Sequence, residues 1–163
     1  MECLPSETVD TLRTKTIKPM TINETQDEII EEFEDLTDWM DRYAYIIDLG
    51  NTLPEFPDSL KTPANLIEGC QSRVWITSER DTEGRMELQA DSDAMIVKGI
   101  VALLLRVLSN HTPEEVADAD LYFIDCIGLR EHLSPTRSNG LVAMVKQIKN
   151  YARAYRLLDE AVR

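Results

Sequence analysis

The stretch from Ile96 to Leu108 places Ile96, Val97, Ile100, Leu103, Leu104, Val107 and Leu108 at helical spacing. An apolar face that broad has to be covered on most of its sides, so the spacing predicts a helix at the centre of a core, with the rest of the chain packed around it. Asp91-Ser92-Asp93 offers its cap, and Asn110 with Pro113 its end. The apolar run Gly99 to Leu105 is far too short to span a bilayer, and the N-terminus lacks the cationic start and apolar centre of a signal peptide. One domain is expected from 163 residues, with a core large enough to hold a reactive group away from water.

Several amphipathic segments are available to cover that helix. Thr21-Ile22-Asn23-Glu24 has the form of a capping box, and Ile29, Ile30, Phe33 and Leu36 follow at helical spacing behind an acidic outer face. Asp38 caps a second helix with the stripe Trp39, Tyr43, Ile46 and Ile47, for which Gly50-Asn51 supplies a left-handed stop. Pro54, Pro57 and Pro63 make the stretch from Leu53 to Glu68 a loop. A strand from about Arg73 to Ser78 turns at Asp81-Thr82-Glu83-Gly84 and returns as Arg85 to Ala90. Thr112-Pro113-Glu114-Glu115 starts a short helix, and another is expected from about Tyr122 to His132. Ser134-Pro135 opens a long helix through Leu141, Met144, Ile148 and Tyr155, with Lys146, Lys149, Arg153 and Arg156 exposed. The class is α+β: a small antiparallel sheet of two to three strands packed against several helices.

Charge narrows the partners. Thirty acidic against 17 basic residues leave a formal charge of -13, which a nucleic-acid backbone would repel. The three cysteines, Cys3, Cys70 and Cys126, are widely spaced with no C-x-x-C pair, so neither a disulfide framework nor a zinc site is signalled. A reducing, cytoplasmic setting is expected, without membrane or nucleic acid as partner. Residues 1–19 show no periodicity and read as a flexible extension; Met20 directly precedes the patterned region and is a candidate initiator.

Cys70 stands where the proline-rich loop becomes strand. Alternation from Cys70 onward puts Cys70, Ser72, Val74 and Ile76 on the apolar face and Gln71, Arg73, Trp75 and Thr77 on the other. Gly69 before it permits turn dihedrals and close approach. A small buried core residue is the commonest fate of such a cysteine.

Three blocks in order give this position another meaning. Gly69-Cys70-Gln71-Ser72-Arg73-Val74-Trp75, then Glu87 to Ala94 leading into Ile96-Val97-Lys98-Gly99, then His132 to Leu141 resemble the SufE family of sulfur acceptor proteins. The resemblance runs from about Ile22 to about Arg156 and implies a SufE-like fold over residues 20–158, leaving 1–19 as the N-terminal extension and 159–163 as a C-terminal tail. It implies that Cys70 is the catalytic residue of iron-sulfur cluster assembly, carrying sulfur as a persulfide. It further implies a cysteine desulfurase (SufS-like) as donor, the Suf scaffold complex as acceptor, and stimulation of the desulfurase. The chain itself would need no cofactor and no metal, the pyridoxal phosphate belonging to the donor.

Gly69, Gln71, Ser72, Asp93 and Arg137 fall in the matching blocks and are expected to support the cysteine loop or the docking surface. An arginine and a helix N-terminus near Cys70 would favour its thiolate. Cys126, in an apolar segment, reads as core, which suits a carrier, because a neighbouring thiol would discharge the persulfide. His111 and His132 lie in no recognisable hydrolase motif, and Asp91-Ser92-Asp93 lacks the glycine of a calcium loop. The alternative is a helical adaptor in which Cys70 is only core.

Overall fold

A computed structural model describes residues 20–162. The expectations for residues 1–19, and for Arg163, fall outside the described residues. In chain order the helices are α1 (Ile22–Glu34), α2 (Trp39–Gly50), α3 (Met95–Leu108), α4 (Pro113–Asp118), α5 (Phe123–Cys126), α6 (Leu129–His132) and α7 (Pro135–Val162). Between α2 and α3 run strands β1 (Val74–Arg80) and β2 (Met86–Ser92), which pair antiparallel from Val74 opposite Ser92 to Arg80 opposite Met86. Among the described residues the sheet has two strands; Leu66 and His111 add only single bridges, to Trp75 and Met86. Among the described residues no helix is long and apolar enough to cross a membrane.

Helix α3 is the centre. Eleven of its residues are buried, and α2, β2, α1 and α7 all pack against it. Its approach to α2 is unusually close, because a Cβ on Gly99 would overlap the Ile46 carbonyl and one on Gly50 would come within 2.8 Å of the Gly99 nitrogen. Gly50 therefore serves the crossing and not the expected left-handed stop: α2 ends on Asn51 at φ -70°. The sheet lays its apolar face on this core, with Val74, Ile76, Met86, Leu88 and Ala90 buried at alternating positions, as the pleat requires.

The capping boxes of α1 and α4 both close, Thr21 with Glu24 and Thr112 with Glu115. Two other boundaries differ from expectation. The segment Tyr122–His132 is two short helices, broken where Gly128 takes φ +80°. Helix α7 continues through residues 159–162, expected as a tail; nothing in Asp159-Glu160-Ala161-Val162 breaks a helix, and Arg80 of β1 holds Asp159 at 2.8 Å.

The acidic face of α1 and the basic face of α7 each find partners. Glu28 and Glu32 bind Arg106 of α3 at 2.5 Å, and Tyr45 donates to Glu32. Lys149 donates to the carbonyls of Ala117 and Ala119 at the end of α4, and Arg156 faces Asp118. Arg42 closes the α1–α2 corner by donating to the carbonyls of Phe33, Leu36 and Ile127.

Candidate functional site

Cys70 sits at the tip of a short loop whose neck is tied and whose tip leans on α7. At the neck, Ile67 N–H donates to the Val74 carbonyl at 2.8 Å, and Leu66 bridges Trp75. A second clasp joins the loop to the turn between β2 and α3. The Arg73 N–H donates to an Asp93 carboxylate oxygen at 3.0 Å, while the Arg73 carbonyl accepts from Ser92 Oγ at 2.8 Å and from the Asp93 N–H at 3.2 Å. Asp93 thus does not cap α3 as its sequence position suggests; Ala94 is the N-cap, without a side-chain bond, and Ser92 Oγ accepts from the Ala94 N–H. A carboxylate offered to a loop N–H is one that a helix N-terminus forgoes.

Residues 68–72 form the tip. Gly69, at φ +90°, turns the chain, and Cys70 follows in the irregular stretch before β1, so the strand starts four residues later than the cysteine. The inward and outward alternation nevertheless extends back to it: Cys70 and Ser72 are half-buried, and Gln71 and Arg73 exposed. The thiol donates a long contact to the Gly140 carbonyl at 3.7 Å. Beside it is a cavity of about 10 Å³ walled by apolar Val97, Ile100 and Met144 and by Gly140, with Gln71, Ser72, Thr136 and Arg137 at its polar side. Of the cysteines among the described residues, Cys70 is the free thiol.

Electrostatics at this site run against the expectation for a poised thiolate. Burial pushes the Cys70 thiol up from its ordinary range. Arg137 reaches the cavity wall and sits in the first turn of α7, yet its one bond there is from its own N–H to Ser134 Oγ, and desolvation prevails. Burial thus favours the protonated thiol, the poorer nucleophile.

The approach to the loop carries a feature that the spacing of residues did not single out. Burial pushes the Asp91 carboxyl up, but the Ser92 N–H and the ammonium groups of Lys61 and Lys98 together hold it below its ordinary value. Lys61, 3.3 Å from Asp91, also lies over the Trp75 ring, so the proline-rich segment is pinned to the sheet just before the cysteine loop begins. The alternating sequence placed Asp91 in a cap; its charge next to Lys98 was the available signal.

The other candidates lie elsewhere. His132 stacks on Trp39 at 4.1 Å and contacts the Gly128 carbonyl, and His111 faces Glu115; neither lines the Cys70 cavity. Cys126 ends α5, half-buried against the core, and is disulfide-bonded, which the wide spacing of the cysteines did not signal. A larger groove of about 790 Å³ runs between the α4–α5 segment and α7, past Tyr122, Val145 and Lys149, but it does not contain Cys70. Among the described residues no cluster of three or more potential metal ligands is found.

The family model of the SufE, Fe-S metabolism associated domain matches residues 27–152, which include the loop, its Asp93 clasp and Gly140. This chain belongs to the SufE family. The SufE domain places it in iron-sulfur metabolism. Its fold recurs in the solution structure of a hypothetical protein from Thermus thermophilus, with a TM-score of 0.67, 82% of this chain and 96% of that chain covered, at 21% identity. At that identity the likeness speaks for the fold alone.

Proposed function

We propose that this SufE-family protein is a sulfur acceptor in which Cys70 takes sulfane sulfur from a cysteine desulfurase and delivers it for iron-sulfur cluster assembly. The observation that carries the reading is the cavity beside Cys70 Sγ. Its volume of about 10 Å³ admits roughly one water-sized group. That is the scale of the single outer sulfur of a persulfide, slightly larger than water, and flexible Met144 in the wall can yield to it.

The transfer is redox-neutral. The Cys70 thiolate attacks the outer sulfur of the donor's cysteine persulfide; a new S–S bond forms on Cys70, the donor's S–S bond breaks, and the donor cysteine leaves as thiolate. Onward delivery repeats the exchange, with an acceptor thiolate attacking and Cys70 leaving. The desulfurase is stimulated because its product sulfur is removed, and the pyridoxal phosphate is the donor's, not this chain's.

A half-buried thiol whose burial disfavours the thiolate is poorly placed for the attack in its resting position. The tip, residues 68–72, swings off α7 when the donor docks, while the Asp93 and Val74 clasps keep the neck in place. Gly69 and Gln71 lie on the exposed side of the tip, available to the donor, and Ser72 and Arg137 border the cavity. The Suf scaffold complex is the proposed recipient, and the reducing cytoplasm the proposed setting.

Incubation with a desulfurase and cysteine, followed by intact and peptide mass spectrometry, tests this. One added sulfur on Cys70, absent from Cys70→Ser, is expected. A chain that stays unmodified, or one whose Cys70→Ser form still supports sulfur delivery, would overturn it.

A further inference from the structure

We propose that Gly140 is a positioning residue for sulfur transfer: having no side chain, it leaves in the flank of α7 the notch where Cys70 Sγ rests and where a second sulfur upon it is sheltered. The inference rests on the reading of Cys70 as a sulfur acceptor.

Glycine is a poor choice at this point of a long helix, since it weakens helices relative to alanine. No turn requires it, because the positive-φ glycines of the described residues are Gly69, Gly84 and Gly128. Space is the remaining reason, and the space belongs to one residue. A Cβ on Gly140 would lie 3.3 Å from Cys70 Sγ and 3.7 Å from Cys70 Cα and Cβ, and these are the three atoms nearest to it. The same glycine supplies the carbonyl that the thiol contacts and part of the cavity wall.

The two states of Cys70 respond differently to a methyl group there. The bare thiol, on a loop tip, can retreat by the few tenths of an ångström that 3.3 Å demands. The persulfide cannot, because a methyl group would fill a cavity that holds about one atom. The outer sulfur of Cys70-S-SH would then stand in solvent, open to any small thiol. Such a thiolate attacks the outer sulfur, the S–S bond on Cys70 breaks, and Cys70 leaves as thiolate.

The test loads the full chain by two routes, a desulfurase with cysteine and a small inorganic polysulfide, and follows loss of the persulfide to dithiothreitol by intact mass. In Gly140→Ala the persulfide should disappear about tenfold faster than in the wild type, while alkylation of the bare thiol changes much less. Val97→Ala in that background removes bulk from another residue of the cavity wall and should restore the lifetime, which a mere change in helix strength would not do. Equal persulfide lifetimes overturn the proposal. So does a Gly140→Ala chain that fails to fold, because a methyl group that touches only a yielding loop cannot cost the fold. Loading by polysulfide but not by the desulfurase would sink the acceptor reading while leaving the Gly140 comparison readable.

Discussion

Gly99 and Gly140 each open a helix to a neighbour, Ile46 in the first case and Cys70 in the second. At Gly99 the neighbour is backbone of another helix, fully buried and unable to retreat. At Gly140 it is a side chain on a loop whose tip, among the described residues, has the long Cys70 sulfur contact as its hydrogen bond to α7. The first crossing fixes how α2 lies on α3; the second holds a thiol in a place it can leave. Similar glycines in sequence thus make a permanent joint and a releasable one, and what separates them is whether the opposite wall can move.

The largest effect should come from the permanent joint. Gly99→Ala puts a methyl group into the Ile46 carbonyl, and the strain of such overpacking is about 3 kcal/mol. Urea unfolding should show a lower midpoint with an unchanged slope; a stability equal to wild type would mean that α2 and α3 can slide apart, and the contrast with Gly140 would vanish.

The clasp at the neck comes next. Asp93→Ala removes the acceptor of the Arg73 N–H, at a cost of about 1 kcal/mol. Alkylation of Cys70 should become several times faster, since the tip loses its anchored base. An unchanged rate would show that the loop is held by α7 and not by its neck.

The smallest effect is a pH dependence. Burial raises the thiol's pKa in the folded state, so between the pKa of the unfolded thiol and the higher folded value the unfolded chain has lost a proton that the native one retains. Stability therefore falls as pH rises above about 8.5, and the thiol's share of that fall should be missing in Cys70→Ser, while the fall that the half-buried Tyr45 hydroxyl adds above about 10 remains. Alkylation of the native protein should likewise titrate at a higher pH than that of the denatured chain. A native titration at or below the unfolded one would mean that Arg137 and the start of α7 outweigh burial after all.

Much of the architecture was readable because local signals acted alone. Thr21 with Glu24 and Thr112 with Glu115 are neighbours on any helix they begin, and the alternation in β1 and β2 needs only a buried face. The signals failed where a distant partner competed. Asp93 reads as a cap from its neighbours but turns to Arg73, twenty positions back, and Gly50 reads as a stop but answers to Gly99. Gly128 breaks a helix that the apolar spacing of Phe123, Ile124, Ile127 and Leu129 joins, since periodicity does not register one left-handed residue.

By itself the order of residues determined which segments are helix and strand, which face of each is apolar, and that one cysteine lies at the junction of a loop and a sheet. Those properties follow from the spacing of side chains along one chain. Whether that cysteine meets solvent, a carboxylate or a helix with a gap in its flank was decided only by packing. The thiol's proton affinity and the space beside it depend on atoms seventy positions away, brought within a few ångströms by the fold.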